Sequence, residues 1–361
     1  MSITRAAINP LITPNDVPPS SPDLKVVSVF NAAATTYQGE TILLLRVAET
    51  VREVAPDEVA VPVLDCDPDD PRVYIMRIPR NTPGLDLSDS RAISFPGCYL
   101  LSSLSHLRVA RSRDGLHFTI EEAPALFPCT IDEEYGIEDP RITLIDGTYY
   151  ISYTVVSRNG IAVGLASTTD FKTYQRHGII FSPENKNVAI FPEKINGLYY
   201  AFHRPATGAL GNQQIWLATS PDLHHWGRHR PLIGRRTGMW DETRIGAGSV
   251  PFKTAEGWLA IYHGVNPDNG YCLGAVLMDL ETPSRILARS ERPILVPKEP
   301  YECLGFYGNV VFTCGSVVRE DGNLYVYYGA ADEHMCCAWV AVDEILDSLR
   351  TTNDMPETAV A

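Results

Sequence analysis

Four stretches of the chain share one pattern, a tight glycine turn followed by a strand in which apolar and aromatic positions alternate with polar ones. They are IDGTYYISY from Ile145, INGLYYAFH from Ile195, EGWLAIYHG from Glu256 and DGNLYVYYG from Asp321. Asp-Gly or Asn-Gly ahead of alternating apolar residues predicts a hairpin, because glycine supplies the positive φ that a tight turn needs. YQGETILLLR from Tyr37 fits the same template and brings the copies to five. A second repeat runs alongside. ARSRDGLHF from Ala110, ASTTDFKTY from Ala166 and ATSPDLHHW from Ala218 share an Ala, a hydroxyl residue two places on, an Asp at the fifth place and an aromatic at the ninth.

Each copy is too small to bury both faces of its own sheet, so radial stacking of small antiparallel sheets is the sensible arrangement. The expectation is all-β: a five-bladed β-propeller formed by one domain over 1–361, with a short C-terminal helix where VAVDEILDSLR turns to helical periodicity. The stretch from about Ala48 to Cys98, rich in Pro and Asp, reads as loops over one face. A two-sheet sandwich or a pair of smaller all-β domains is the alternative, but no Gly/Ser linker or charge run separates two halves. A propeller gathers its inner strands around one central pocket, so polar residues at the ends of those strands are the ones to follow.

The formal charge of -14 sets the average field against nucleic acid and anionic membrane, so neither is expected as a partner. An anionic ligand must therefore meet a local cationic pocket. No stretch has the length of a signal-peptide core or a membrane span, which points to a cytoplasmic protein. Eight cysteines without CxxC spacing read as free thiols, and no metal is expected. Patterns for nucleotide, zincin and serine-hydrolase chemistry are missing from the sequence.

The most unusual string is YGIEDPRI, Tyr135 to Ile142, at the entrance to the second repeat. Strand alternation predicts that Glu138 and Asp139 face opposite ways, Asp139 into the pocket, with Arg141 sharing its facing. Either this is a site carboxylate or it is an Asp-Pro turn with Arg141 paired outward. Arg204, Arg244 and His263 stand at strand ends, and with the Tyr271 hydroxyl they could cradle a phosphate. Taken singly, each also suits an ordinary paired or core residue.

These strings together resemble glycoside hydrolase family 130, the five-bladed propellers that act on β-mannosides. The resemblance runs from NPLITP at Asn9 through FNAAATTYQGETILLLRVAE, YGIEDPRI, FPEKING, HRPAT, TRIGAGSVP, GWLAIYHG and EPYECLG to YYGAADE, ending at Glu333. It implies that Asp139 is the sole protein proton donor, reaching the glycosidic oxygen through the 3-hydroxyl of mannose. It implies that Arg204, Arg244, His263 and Tyr271 bind inorganic phosphate, a co-substrate that makes any further cofactor unnecessary. Asn31, Arg46 and Asp332 resemble residues that hold the mannosyl ring. Arg141 and Lys194 are grouped with the substrate-binding set, although the neighbour of Lys194 is Glu193 where some members carry Arg.

The activity so implied is transfer of a mannosyl group to phosphate with inversion, giving α-mannose 1-phosphate. Phosphate is already a nucleophile, so a cationic cradle replaces the second carboxylate that an inverting hydrolase needs to activate water. FNAA and RVAE resemble β-1,2-mannobiose and oligomannoside phosphorylases more than β-1,4 members. A β-1,4-mannoside phosphorylase, a β-mannoside hydrolase and a noncatalytic sugar-binding propeller stay open, as does assembly into homo-oligomers.

Overall fold

The computed structural model describes residues 3–67, 70–206 and 211–353. Five antiparallel sheets follow one another around a common hub. The first blade holds Leu24–Tyr37, Glu40–Val51, Leu104–Ser112 and Thr119–Ile120, and the second runs from Ile137–Ile145 to Gln175–Phe181. Asn185–Ile190 to Gly227–Ile233 make the third blade and Arg244–Ala247 to Ile286–Arg289 the fourth. The fifth takes Val311–Val318, Asn323–Ala330 and His334–Ala341, and its last place is filled by Thr4–Arg5. One sheet therefore joins the two ends of the chain. No sheet could bury its faces alone, and the apolar clusters lie between blades: Ala33, Ile42 and Leu44 with Ile137 and Ile151, or Phe191 and Phe202 with Trp258 and Tyr262.

Both repeats have a physical origin. The glycine turns join the first and second strands, with Gly39, Gly147, Gly197 and Gly322 at φ near 80°. The repeated aromatic strands are the second of each blade, while the first strands meet one another at the hub. The Ala-x-Ser/Thr-x-Asp unit ends each third strand in a turn stitched by its own side chains. Asp114, Asp170 and Asp222 each accept two following backbone N–H groups, and Ser112, Thr168 and Ser220 accept a third.

The stretch expected as loops is folded instead. Glu58–Asp65 pairs with Arg72–Pro79, and Ala92–Phe95 with Cys98–Leu101, as two hairpins inserted between the second and third strands of the first blade. Alternating VAVPVL and VYIMRI give them one apolar face, and Val59, Val61, Ile78, Ile93 and Leu100 form a small core of their own. The C-terminal helix, Val342–Asn353, buries Ile345, Leu346 and Leu349 against the fourth and fifth blades. A one-turn helix, Pro300–Cys303, lacks the periodicity that reveals helices in sequence. Among the described residues no helix is long and apolar enough to cross a membrane.

Candidate active site

The first strands of the first three blades break their register at the same place. Pairing shifts between Phe30 and Ala33, between Glu138 and Arg141, and between Lys186 and Ala189. In each bulge sits one Asx residue in left-handed backbone, Asn31 at φ 50°, Asp139 at 48° and Asn187 at 57°. Asn and Asp tolerate this region better than other side chains, and a bulge re-aims the residue that follows it. The residue just before each bulge pairs across the ladder with Arg46, Thr154 or Arg204. Arg46 and Arg204 thus hold equivalent positions in the first and third blades.

The bulge overturns the alternation argument for Glu138. Instead of pointing away, Glu138 shares a guanidinium with Asp139. Arg46 Nη2 donates to Glu138 Oε1 at 2.7 Å and Nη1 donates to Asp139 Oδ1 at 3.0 Å. Asn31 Nδ2 donates to the same Asp139 oxygen at 3.0 Å, and Ser105 accepts from Arg46 Nε. Gly329 makes room for this, because a Cβ there would stand 2.3 Å from Asn31 Oδ1. Burial alone would raise the Asp139 carboxyl, but Arg46, Arg141 and the Asn31 hydrogen bond outweigh it and hold the group below the ordinary carboxylate range. Asp332, also left-handed at φ 51°, has the opposite fate. Burial pushes its carboxyl up to about 6, with Asp139 and Glu138 adding to the rise and Arg46 opposing it.

Arg141 is drawn into the protein by backbone acceptors. It is 1% exposed, and its nitrogens donate to the backbone carbonyls of Gly248, Asp139 and Ala247 at 2.8–3.1 Å. It clamps the bulge that carries Asp139 to the fourth blade, a positioning role that the expected substrate contact did not foresee.

The cationic residues expected as a cradle do come together. Arg204 Nη1 lies 3.2 Å from His263 Nε2, and the Arg244 guanidinium stacks over the Tyr271 ring at 5.0 Å. His263 is fully buried, and burial together with Arg204, Arg141 and Arg244 drives its pKa well below normal. A neutral His263 accepts from Arg204 and orients it; the charge comes from the arginines. Burial and the neighbouring Arg244 and Arg141 also lower Arg204, to about 10. Among the described residues the Nε atoms of Arg204 and Arg244 are buried without a partner, and so is Asn187 Nδ2. Orphaned buried donors of this kind call for an acceptor. Gly246 lets them close up, because a Cβ there would lie 2.5 Å from both Asn187 and His263.

Two members of this group escaped sequence reasoning. Lys186 pairs with Arg204 across the third blade; burial and Arg204 lower its pKa while Glu138 and Asp139 oppose the fall, so it stands between the cationic and acidic groups. Asn187 occupies the third bulge. The signal was partial: Asn31 and Asp139 each stand eight residues before a turn glycine, Gly39 and Gly147, but in the third blade Asn187 stands ten before Gly197. Lys194 does not join the site. It is exposed in the turn between Asn185–Ile190 and Tyr199–Pro205, its ammonium 4.9 Å from the Tyr199 ring, at the end of the hairpin away from Lys186 and Arg204.

A hub with an acid group on one flank and unpaired cationic donors on the other defines a propeller enzyme of the glycoside-processing type. The chain belongs to glycoside hydrolase family 130, whose family model, described as beta-1,4-mannooligosaccharide phosphorylase, matches residues 99–351. It is 45% identical to the beta-1,2-mannobiose phosphorylase of Listeria innocua serovar 6a over 97% of this chain and 99% of that protein. It is 41% identical to the 1,2-beta-oligomannan phosphorylase of Thermoanaerobacter sp. (strain X514), over 63% of this chain and 76% of that protein. A solved structure of the Listeria innocua beta-1,2-mannobiose phosphorylase in complex with beta-1,2-mannobiose superposes with a TM-score of 0.92 at 44% identity, covering 97% of this chain and all of that one.

Proposed function

We propose that this chain cleaves β-1,2-linked mannobiose or short oligomannosides with inorganic phosphate, reversibly, releasing α-mannose 1-phosphate and a shortened sugar. The observation that carries the reading is the cradle of Arg204, Arg244, Lys186 and Asn187, in which buried nitrogens of Arg204, Arg244 and Asn187 have no acceptor among the described residues. Phosphate supplies four oxygens to such a group and needs no base to make it nucleophilic. One of its oxygens forms a bond to the anomeric carbon as the bond to the glycosidic oxygen breaks. The negative charge of bound phosphate opposes the cations that lower Asp139 and raises its carboxyl, and Asp139 supplies the proton that the leaving oxygen takes. Asn31, Arg46 and Asp332 are the groups around Asp139 that would hold the mannosyl ring. Phosphate is the co-substrate, and no cofactor is part of the reading. The linkage follows the named activities of the Listeria and Thermoanaerobacter relatives. Eight cysteines without a disulfide suit a cytoplasmic location.

Hydrolysis is the competing reading, because Glu138 faces the same guanidinium as Asp139. An inverting hydrolase needs its base across the sugar from its acid, whereas one guanidinium holds these two carboxylates on the same side. Incubation with β-1,2-mannobiose, with and without phosphate, decides between them. Phosphate-dependent appearance of α-mannose 1-phosphate is the expected outcome; release of two mannoses without phosphate would replace this reading with hydrolysis.

A further inference from the structure

The insertion in the first blade brings one charged side chain to the hub that neither the acid nor the cradle uses. Arg91 stacks its guanidinium over Tyr307 at 5.1 Å. Tyr307 is tied to the acidic flank, since its N–H donates to the Ala331 carbonyl, next to Asp332. It is tied to the cradle as well, packing with Tyr271 on the cluster of Val310, Phe312 and Cys314. Asp89 braces the arginine from below, accepting from Nε at 3.0 Å and from Nη2 at 2.9 Å. Among the described residues that leaves Nη1 without a hydrogen-bond partner, on a side chain that is half exposed. A planar cation fixed against an aromatic ring, with one donor free, is suited to the hydroxyls of a sugar that must bind and leave.

We propose that Arg91 and Tyr307 form one wall of the subsite for the departing sugar, Arg91 Nη1 donating to a hydroxyl of that residue. The inference rests on the phosphorylase reading and deepens it by assigning the acceptor side of the site to the insertion. Donor chemistry then depends on the hub, and recognition of the second sugar depends on a hairpin that the blades do not require.

Kinetics in the synthetic direction separate the two sugars. With α-mannose 1-phosphate as donor and mannose as acceptor, Arg91→Ala should raise the acceptor KM about tenfold or more, as expected for loss of a charged hydrogen bond. The KM values for α-mannose 1-phosphate, and for phosphate in the forward direction, should stay within about twofold. Arg91→Met, which keeps an apolar stem over Tyr307 but removes the donor, should show the same rise. An unchanged acceptor KM in either variant overturns the proposal, and so does a parallel rise in donor and acceptor KM, which would place Arg91 on the mannosyl or phosphate side. A wild-type chain that makes no product in either direction would instead remove the phosphorylase reading, and this inference with it.

Discussion

Asn31 and Asp139 bond to one another across a blade boundary, Nδ2 to Oδ1 at 3.0 Å, and both stand in left-handed backbone at register breaks of their strands. The donor stabilises the charged carboxylate, so its loss raises the Asp139 pKa. An acid with a raised pKa stays protonated to higher pH. Asn31→Ala should therefore move the alkaline limb of the pH–rate profile upward, while Asp139→Asn should lower turnover by at least about a hundredfold. An Asp139→Asn enzyme of near wild-type turnover would remove this residue from the acid role.

Phosphate dependence rests on the other flank. Arg204→Ala or Arg244→Ala should reduce phosphorolysis roughly a hundredfold and raise the phosphate KM, the usual effect of deleting one donor from a preorganised anion site. His263→Ala should do less, because it loosens Arg204 without removing a charge. Circular dichroism must show the wild-type β spectrum in each variant. Unaltered phosphate kinetics in both arginine variants would disprove the cradle.

Asp332 makes stability pH-dependent in an unusual direction. Its folded pKa of about 6 lies above the unfolded value of about 3.9, so the folded chain keeps the proton longer. The Asp332 contribution should fall as pH rises from about 4 to about 6, against buried His263, whose lowered pKa acts with the opposite sign there. The stability difference between wild type and Asp332→Asn should therefore change across that window. Asp139, with a lowered pKa, acts with the opposite sign and only below this window. Urea midpoints at pH 4, 5, 6 and 7 test the point, and identical slopes in the two proteins would refute it.

The blades were legible in the sequence because their second strands alternate and their turns need glycine at positive φ. The partnership of Arg204, Arg244, His263 and Tyr271 was legible for a related reason, since all four stand at strand ends near the hub. Glu138 and Lys194 were not placed correctly, and the carbonyl partners of Arg141 were not foreseen. Alternation assumes an unbroken strand, and the bulge at Asp139 adds a residue that turns the facing of its neighbours. Lys186 and Asn187 were missed because a bulged, half-buried strand carries no clean period, and its longer connection to Gly197 breaks the offset that the first two blades share. The hairpins of the insertion were obscured by the Asp and Pro residues around them.

A buried carboxylate secures the fifth blade. Glu302 is fully buried and accepts from Arg5 Nε at 2.8 Å, from the Tyr328 hydroxyl at 2.7 Å and from the backbone N–H groups of Lys298 and Glu299. Glu302→Ala strands Arg5 and these donors and should destabilise the chain by about 3 kcal/mol. Urea unfolding checks this, and a loss below about 1 kcal/mol would mean that the pair contributes little to holding the ring closed.

The strand Thr4–Arg5 closes a sheet whose other members lie more than three hundred residues later in the chain. On the ribosome this strand must therefore wait for the later strands of its own sheet. At about 5–20 residues per second, that interval is on the order of half a minute. Throughout it Thr4–Arg5 has no strand to pair with, and every earlier blade stands in an open arc. Birth of the working hub is thus a single late event, set by the clock of synthesis and not by the pace at which any one blade can fold.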